Sequence, residues 1–237
     1  MRAQFLAALA AYPNEALGPQ ELCALCVEQL VVDRAAIAIS VAPTSWEPLC
    51  ASDEVAGRIE AGQATVGEGP AIDALRHGGP VLVDDLSAQF ERWPGLSTAL
   101  GQDGRGAMFA FPLQIGAIRV GVLDLYRVKP AQVEAGEVAA MLAAADIVTM
   151  VLLSHPRPAV PAGVDNDDLD VWWASSLSSR EVHQATGMIV AQLAVPADEA
   201  YLRLKAHAYA EDLLLVEVAR DVIAGRLRFD PGDGERY

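Results

Sequence analysis

Arg180-Glu181-Val182-His183-Gln184-Ala185-Thr186-Gly187-Met188-Ile189-Val190-Ala191-Gln192-Leu193 decides how the last quarter of the chain folds. Ser178 and Ser179 precede it as hydroxyl caps, with Glu181 in the first turn, which is how helices prefer to start. Val182, Ala185, Ile189 and Leu193 then recur at i, i+3, i+7 spacing, the mark of one buried helix face. The opposite face carries Arg180, His183, Gln184 and Gly187. Glycine in mid-helix costs roughly 1 kcal/mol against alanine, so Gly187 on a polar face needs a reason, such as close approach of another backbone.

Val195-Pro196 ends this helix and opens the next, since proline suits the first helical turn. Ala200, Leu204 and Ala208 form its buried stripe, while Arg203, Lys205 and His207 lie on other faces. Leu213-Leu214-Leu215-Val216 starts a third helix, continued by Val218, Ala219, Val222 and Ile223. Gly225-Arg226-Leu227-Arg228-Phe229 is its exit, a glycine with arginines beside it.

The run from Arg180 to Leu193, then Asp198-Glu199-Ala200-Tyr201 with Leu204-Lys205, then Glu217-Val218-Ala219, closely resembles the ANTAR domain. That family is a three-helix RNA-binding module of bacterial transcription antiterminators, and the likeness covers about fifty residues in order and spacing. It implies an RNA surface, for which Arg180, Gln184, Arg203, Lys205 and His207 are the candidate contacts. RNA loops are read by hydrogen bonds to exposed bases and by basic contacts to phosphates. The chain differs from many family members at Thr186 and at Leu213-Leu214, where basic or polar residues are common.

Upstream, apolar spacing predicts a helix from Ala16 to about Val32, a strand Ala35–Val41 and a hairpin partner at Pro48–Ser52. Ser52-Asp53-Glu54 caps a helix to about Ala64, followed by a helix from Ala71 to Arg76 and a strand from Pro80 to Asp84. A short helix Leu96–Leu100 precedes two antiparallel strands, Gly106–Leu113 and Ile118–Tyr126. A long alanine-rich helix from about Val133 to Leu153 follows, suited to pack on the sheet and on a second copy.

Gly67-Glu68-Gly69-Pro70, Pro80-Val81-Leu82-Val83-Asp84-Asp85-Leu86, Phe111-Pro112-Leu113 and Gly121-Val122-Leu123-Asp124-Leu125-Tyr126 resemble the GAF domain. This likeness implies an α+β sandwich, a six-stranded antiparallel sheet with helices on one face and a ligand cavity on the other. Asp73, Arg92, Trp93, Arg105 and Asp124 lie on the stretches that would line the cavity. Together the likenesses describe a GAF–ANTAR two-domain regulator of actinobacterial type. Residues 1–155 form the sensor, residues 156–177 a linker and connecting helix, and residues 178–229 the all-α output module.

Between the halves, Pro156, Pro158 and Pro161 forbid a continuous helix. Trp172-Trp173 farther on are expected to dock the tail against the sensor or a partner chain, with stacking on RNA as the lesser alternative. The three cysteines, Cys23, Cys26 and Cys50, read as packing thiols in a reduced cytoplasm, too few for a disulfide scaffold or a closed zinc site. His77, His155, His183 and His207 have no metal spacing, and no phosphate loop, nucleophile elbow or zinc-protease motif is present. The expectation is therefore a non-enzyme without cofactor or metal.

Hydrophobic residues make up 52% of the chain, enough for a sizeable core, and no uninterrupted apolar run reaches the ~18 residues of a membrane span. The net charge of −15 excludes a general nucleic-acid binder, because phosphate neutralisation drives that affinity. Residues 175–229 hold six Lys/Arg against seven Asp/Glu, so nearly all the excess negative charge lies elsewhere. RNA binding is then local, helped by two copies in a homodimer. The expected function is a cytoplasmic, signal-responsive antitermination regulator, whose sensor takes a small ligand or a partner and whose tail binds hairpins in nascent RNA. The alternative is a signalling hub whose tail docks a partner protein.

Overall fold

The computed structural model describes residues 2–12, 17–42, 45–89, 91–101, 103–154, 177–211 and 213–230. The linker prolines, Trp172-Trp173 and the connecting helix lie outside the described residues.

The first half is an antiparallel sheet in the order β2-β1-β5-β4-β3, with β1 Arg34–Ala42, β2 Ser45–Ala51, β3 Val81–Val83, β4 Ala107–Ile115 and β5 Ile118–Arg127. Five strands are present among the described residues, where the resemblance implied six. Helices cover both faces rather than one. α1 Arg2–Ala10, α2 Pro19–Gln29 and α6 Ala135–Ser154 pack on one side; α3 Glu54–Val66, α4 Pro70–His77 and α5 Pro94–Leu100 pack on the other. α1 occupies a stretch for which the spacing gave no element, and its Phe5 is buried against the α2–α6 layer.

The period of two along the strands sends alternate side chains to opposite faces. Ile37, Ile39, Phe109, Phe111, Leu123 and Leu125 point to the α2–α6 face. Ala36, Ala38, Ala110 and Val122 point to the α3–α5 face with Met108 and Tyr126, and the small residues among them leave room for Trp93, Leu96 and Leu100. Gly121, paired with Ile39, belongs to the same economy of space: a Cβ there would overlap the Ala38 carbonyl oxygen.

α6 is long and apolar enough to cross a membrane by length and composition, with a mean hydropathy of 1.8, and half of it is buried inside the fold. Glu137 and Asp146 interrupt it, which is why no unbroken apolar run marks it in the sequence. Its outward side shows Leu142, Met150 and Leu153.

The cysteine reading needs correction. Cys23 on α2 and Cys50 on β2 are joined as a disulfide across 27 residues. Only Cys26 remains a thiol, and burial pushes it up to about 12, so it stays protonated. The spacing of Cys23 and Cys26 drew attention to the wrong pair, because β2 brings Cys50 to α2 only in three dimensions.

The second half is a three-helix unit: α7 Leu177–Leu193, α8 Ala197–Ala210 and α9 Leu215–Ile223. Ala185, Ile189, Ala200, Leu204, Ala208, Leu215, Val218, Ala219 and Val222 fill its core, and Phe229 closes it. Leu214 N–H donates to Glu217 Oε2 at 2.8 Å, so the first turn of α9 is capped from within.

Candidate nucleic-acid face and sensor site

α7 owes its orientation to the stripe Ala185, Ile189 and the half-buried Val182, which face α8 and α9. Arg220 of α9 donates to both carboxylate oxygens of Glu181, at 3.1 and 3.0 Å, and fixes the pitch of α9 on α7. Thr186 sits on the inner side and donates to Val182 O, spending its hydroxyl on its own helix. What remains outward is His183, Gln184, Gly187 and Ala191. An added Cβ on Gly187 would meet nothing within 4 Å, so no packing among the described residues requires glycine there.

The five RNA candidates are spread over α7 and α8. Arg180 lies in the first turn of α7, its side chain outside the described residues. Gln184 is exposed on α7. Arg203 donates to Glu199 Oε1 one turn back on α8, at 2.7 and 3.2 Å. His207 stands edge-on to the Phe229 ring at a centroid distance of 5.6 Å.

Lys205 is turned toward the sensor. Its Nζ is 3.4 Å from where a Cβ on Gly67 would lie, at the C-terminal end of α3. A cation at that end of a helix suits the partial negative charge of the last carbonyls. Burial lowers the Lys205 pKa, and the nearby Arg76 guanidinium lowers it further.

Two further contacts seat the tail on the sensor. His183 Nε2 lies 2.8 Å from Glu47 Oε1 of β2. Leu215 N–H donates to the buried Thr65 Oγ1 at 3.2 Å, while Thr65 itself donates to Ala61 O at 2.7 Å. Sequence reasoning missed Thr65 and Glu47, which have no local signal for such roles. Between the halves run two clefts of about 510 and 370 Å³.

In the sensor, Asp73, Arg92 and Trp93 come together. Asp73 Oδ2 accepts from Arg92 Nη2 at 2.7 Å and from Trp93 Nε1 at 3.3 Å. The guanidinium also lies 4.5 Å above the Trp93 ring. Arg105 is exposed on the loop before β4. None of the five sensor candidates lines either interdomain cleft.

Asp124 belongs to a different group, a buried set on the α3–α5 face. Tyr126 Oη donates to Glu60 Oε1 at 2.6 Å. Gln63 Nε2 donates to Glu60 Oε1 at 3.1 Å and to Asp124 Oδ2 at 3.3 Å, and its carbonyl accepts from Ala71 N–H. Burial above all, then the Glu60 charge, holds the Asp124 carboxyl well above the usual carboxylate range. Asp124 Oδ1 meets no hydrogen-bond partner among the described residues. A signal for this set exists in the sequence. Ala56, Ile59, Glu60 and Gln63 follow one helical stripe, and two polar residues stand where apolar ones are expected.

These features define a class: an α+β sandwich with buried polar groups, carrying a three-helix unit on its edge. Residues 175–223 match the ANTAR domain family. Among solved structures the chain is similar to the GAF domain of a phosphoenolpyruvate-protein phosphotransferase from Coxiella burnetii. That likeness is 15% identical, covers 65% of this chain and 90% of the other, and has a TM-score of 0.48. The second GAF domain of DevS from Mycobacterium smegmatis is 18% identical over 58% of this chain and 91% of the other, with a TM-score of 0.44. A free methionine-R-sulfoxide reductase from Neisseria meningitidis, solved with its substrate, is 15% identical over 63% and 84%, with a TM-score of 0.46. No curated protein matches the chain.

Proposed function

We propose that this chain is a signal-responsive regulator whose three-helix tail binds hairpins in nascent RNA and favours antitermination. The observation that carries the reading is the exposed α7 face, Gln184 beside Gly187, within the stretch that matches the ANTAR family. A glycine that its own chain does not require leaves a smooth patch against which a nucleic-acid backbone fits. Arg180 begins the same helix one turn before Gln184.

In the docked arrangement Lys205 is held by the sensor, so an undocked tail presents one more cation to RNA than a docked one. Release of the tail is thus the regulated step. The functional unit is a cytoplasmic homodimer through α6, whose exposed Leu142, Met150 and Leu153 suit a second copy and bring two tails onto paired hairpins. The Asp73–Arg92–Trp93 corner is the small-ligand candidate on the sensor, since Arg92 stays half exposed above an aromatic ring.

The test is affinity of the full chain for a two-hairpin leader RNA across a salt series. Arg180→Ala with Gln184→Ala is expected to weaken binding at least tenfold, and wild-type affinity should fall steeply with salt. Equal affinities for variant and wild type, or none for any native leader, would remove RNA from the reading. A tail that docks a protein instead draws on Leu202 and Tyr209, both exposed and seven residues apart on α8. Binding indifferent to salt but lost in Leu202→Glu would favour that reading.

A further inference from the structure

We propose that Cys23–Cys50 is a thiol–disulfide switch that sets whether the tail stays docked on the sensor, which makes thiol redox state a signal this chain reads. The inference rests on regulation by tail release, as argued above, but not on RNA being what the tail binds.

The disulfide sits where an irregular edge strand faces the tail. β2 is an edge strand, and its ladder to β1 is irregular: Ile37 pairs with Cys50, but Ala38 pairs with Pro48, leaving Leu49 extra. Pro48 has no N–H to give to a ladder. The covalent link to α2 therefore does part of the holding that hydrogen bonds do elsewhere. α2 itself is fixed, with Leu22 and Leu25 wholly buried in the core. Glu47, three residues before Cys50, is the partner of His183 on α7. Pro48, Leu49, Cys50 and Ala51 form one wall of the 510 Å³ cleft, and Leu214, Val216, Glu217 and Arg220 form the other. The disulfide thus anchors one side of the interface with the tail.

Reduction changes the spacing at this anchor. Bonded sulfurs lie about 2.05 Å apart, whereas two free thiols need roughly 3.5–4 Å. Both cysteines are buried in a packed layer, so α2 and β2 must part, and the edge strand is the partner free to move. Displacing β2 carries Glu47 away from His183 and alters the wall that faces α9.

The chemistry is a two-electron exchange. A dithiol reductant attacks Cys50 Sγ, the sulfur on the cleft side, and Cys23 leaves as a thiolate that takes up a proton. The second thiol of the reductant then displaces Cys50, giving two protein thiols and one reductant disulfide. In reverse, a peroxide oxidises the Cys50 thiolate to a sulfenic acid. The Cys23 thiol displaces it, re-forming the bond with loss of water. Cys26, one turn from Cys23 and buried, does not compete as a nucleophile.

The test uses the full chain, peroxide-oxidised or dithiothreitol-reduced, without RNA. Differential alkylation read by mass spectrometry should find Cys23 and Cys50 protected together in the oxidised chain and Cys26 as the lone thiol. Hydrogen exchange in α7 and α9 should become about tenfold faster on reduction, reverse on reoxidation, and leave β4 and β5 unchanged. Cys26→Ala should respond like wild type. Cys23→Ala with Cys50→Ala should exchange fast whatever the reductant. Should that double variant fail to fold, the wild-type pair of states still decides. Unchanged tail exchange on reduction, global unfolding on reduction, or three free thiols after peroxide would each overturn the switch. RNA binding could stand in all three cases.

Discussion

The interiors of the two halves obey different rules. In the sensor, Glu60, Gln63, Asp124 and Tyr126 are buried together, and Gly121 is required by a carbonyl that leaves no room for a Cβ. In the tail the core is apolar apart from Thr186, whose hydroxyl is satisfied by its own helix, and Gly187 faces open space. Burying polar groups costs stability unless all are paired, so a fold keeps them where they serve a second purpose. A glycine that weakens a helix without easing a contact likewise implies a purpose outside the chain. The first half carries its cost inside, and the tail carries its cost outside.

The harshest challenge to this contrast is Gly121→Ala. The added carbon meets backbone rather than a flexible side chain, and a loss of about 3 kcal/mol or more is expected in denaturant unfolding. A tolerated alanine would mean that the β1–β5 spacing is not set by that residue. Next comes Gln63→Ala, which removes the donor to Asp124 Oδ2 and the acceptor for Ala71 N–H. It should cost about 2–3 kcal/mol by the same measurement.

Asp124→Asn should act in the opposite direction. A carboxyl whose folded pKa is raised contributes fully below its unfolded value near 3.9, and the contribution is lost as pH rises toward the folded value. Wild-type stability should therefore decline from acid toward neutral pH. The asparagine variant should lack that part of the decline and melt roughly 2–4 °C higher at pH 8. Equal slopes for the two proteins would assign the pH dependence to other groups.

Gly187→Ala sharpens the tail side. Stability should rise by about 1 kcal/mol, because nothing crowds the new methyl group and helix propensity improves. Affinity for leader RNA should fall in the same variant, a combination that a merely structural glycine does not give. Smallest of all is His183→Ala, which removes a half-exposed pair with Glu47. It should lower stability by less than about 1 kcal/mol while speeding exchange in α7.

Much of the fold was legible because its signals are local. The cap at Asp53, the helical stripes of α7, α8 and α9, and the alternation of β4 and β5 all depend on neighbours within a few turns. The trio of Asp73, Arg92 and Trp93 was named from sequence, and the fold does bring these residues together. Asp124 was named with them and lies in another set, since strand position alone does not reveal which helix covers it. Lys205 read as a surface cation because nothing in its own helix shows that α3 ends opposite it. Edge-strand placement is equally silent in the sequence, and so the Cys23–Cys50 pair escaped notice while Cys23 and Cys26 did not.

The sequence by itself determined the helices other than α1, the strands, the division into a sandwich and a three-helix unit, and the polar side of α7. Periodicity and capping act within one element, so they are written in its own residues. Only the tertiary structure decided which thiols are joined, which carboxyls are buried together, and which cation is turned toward the other half of the chain. Each of those depends on atoms from segments tens of residues apart, and their distance is fixed by packing rather than by any local preference.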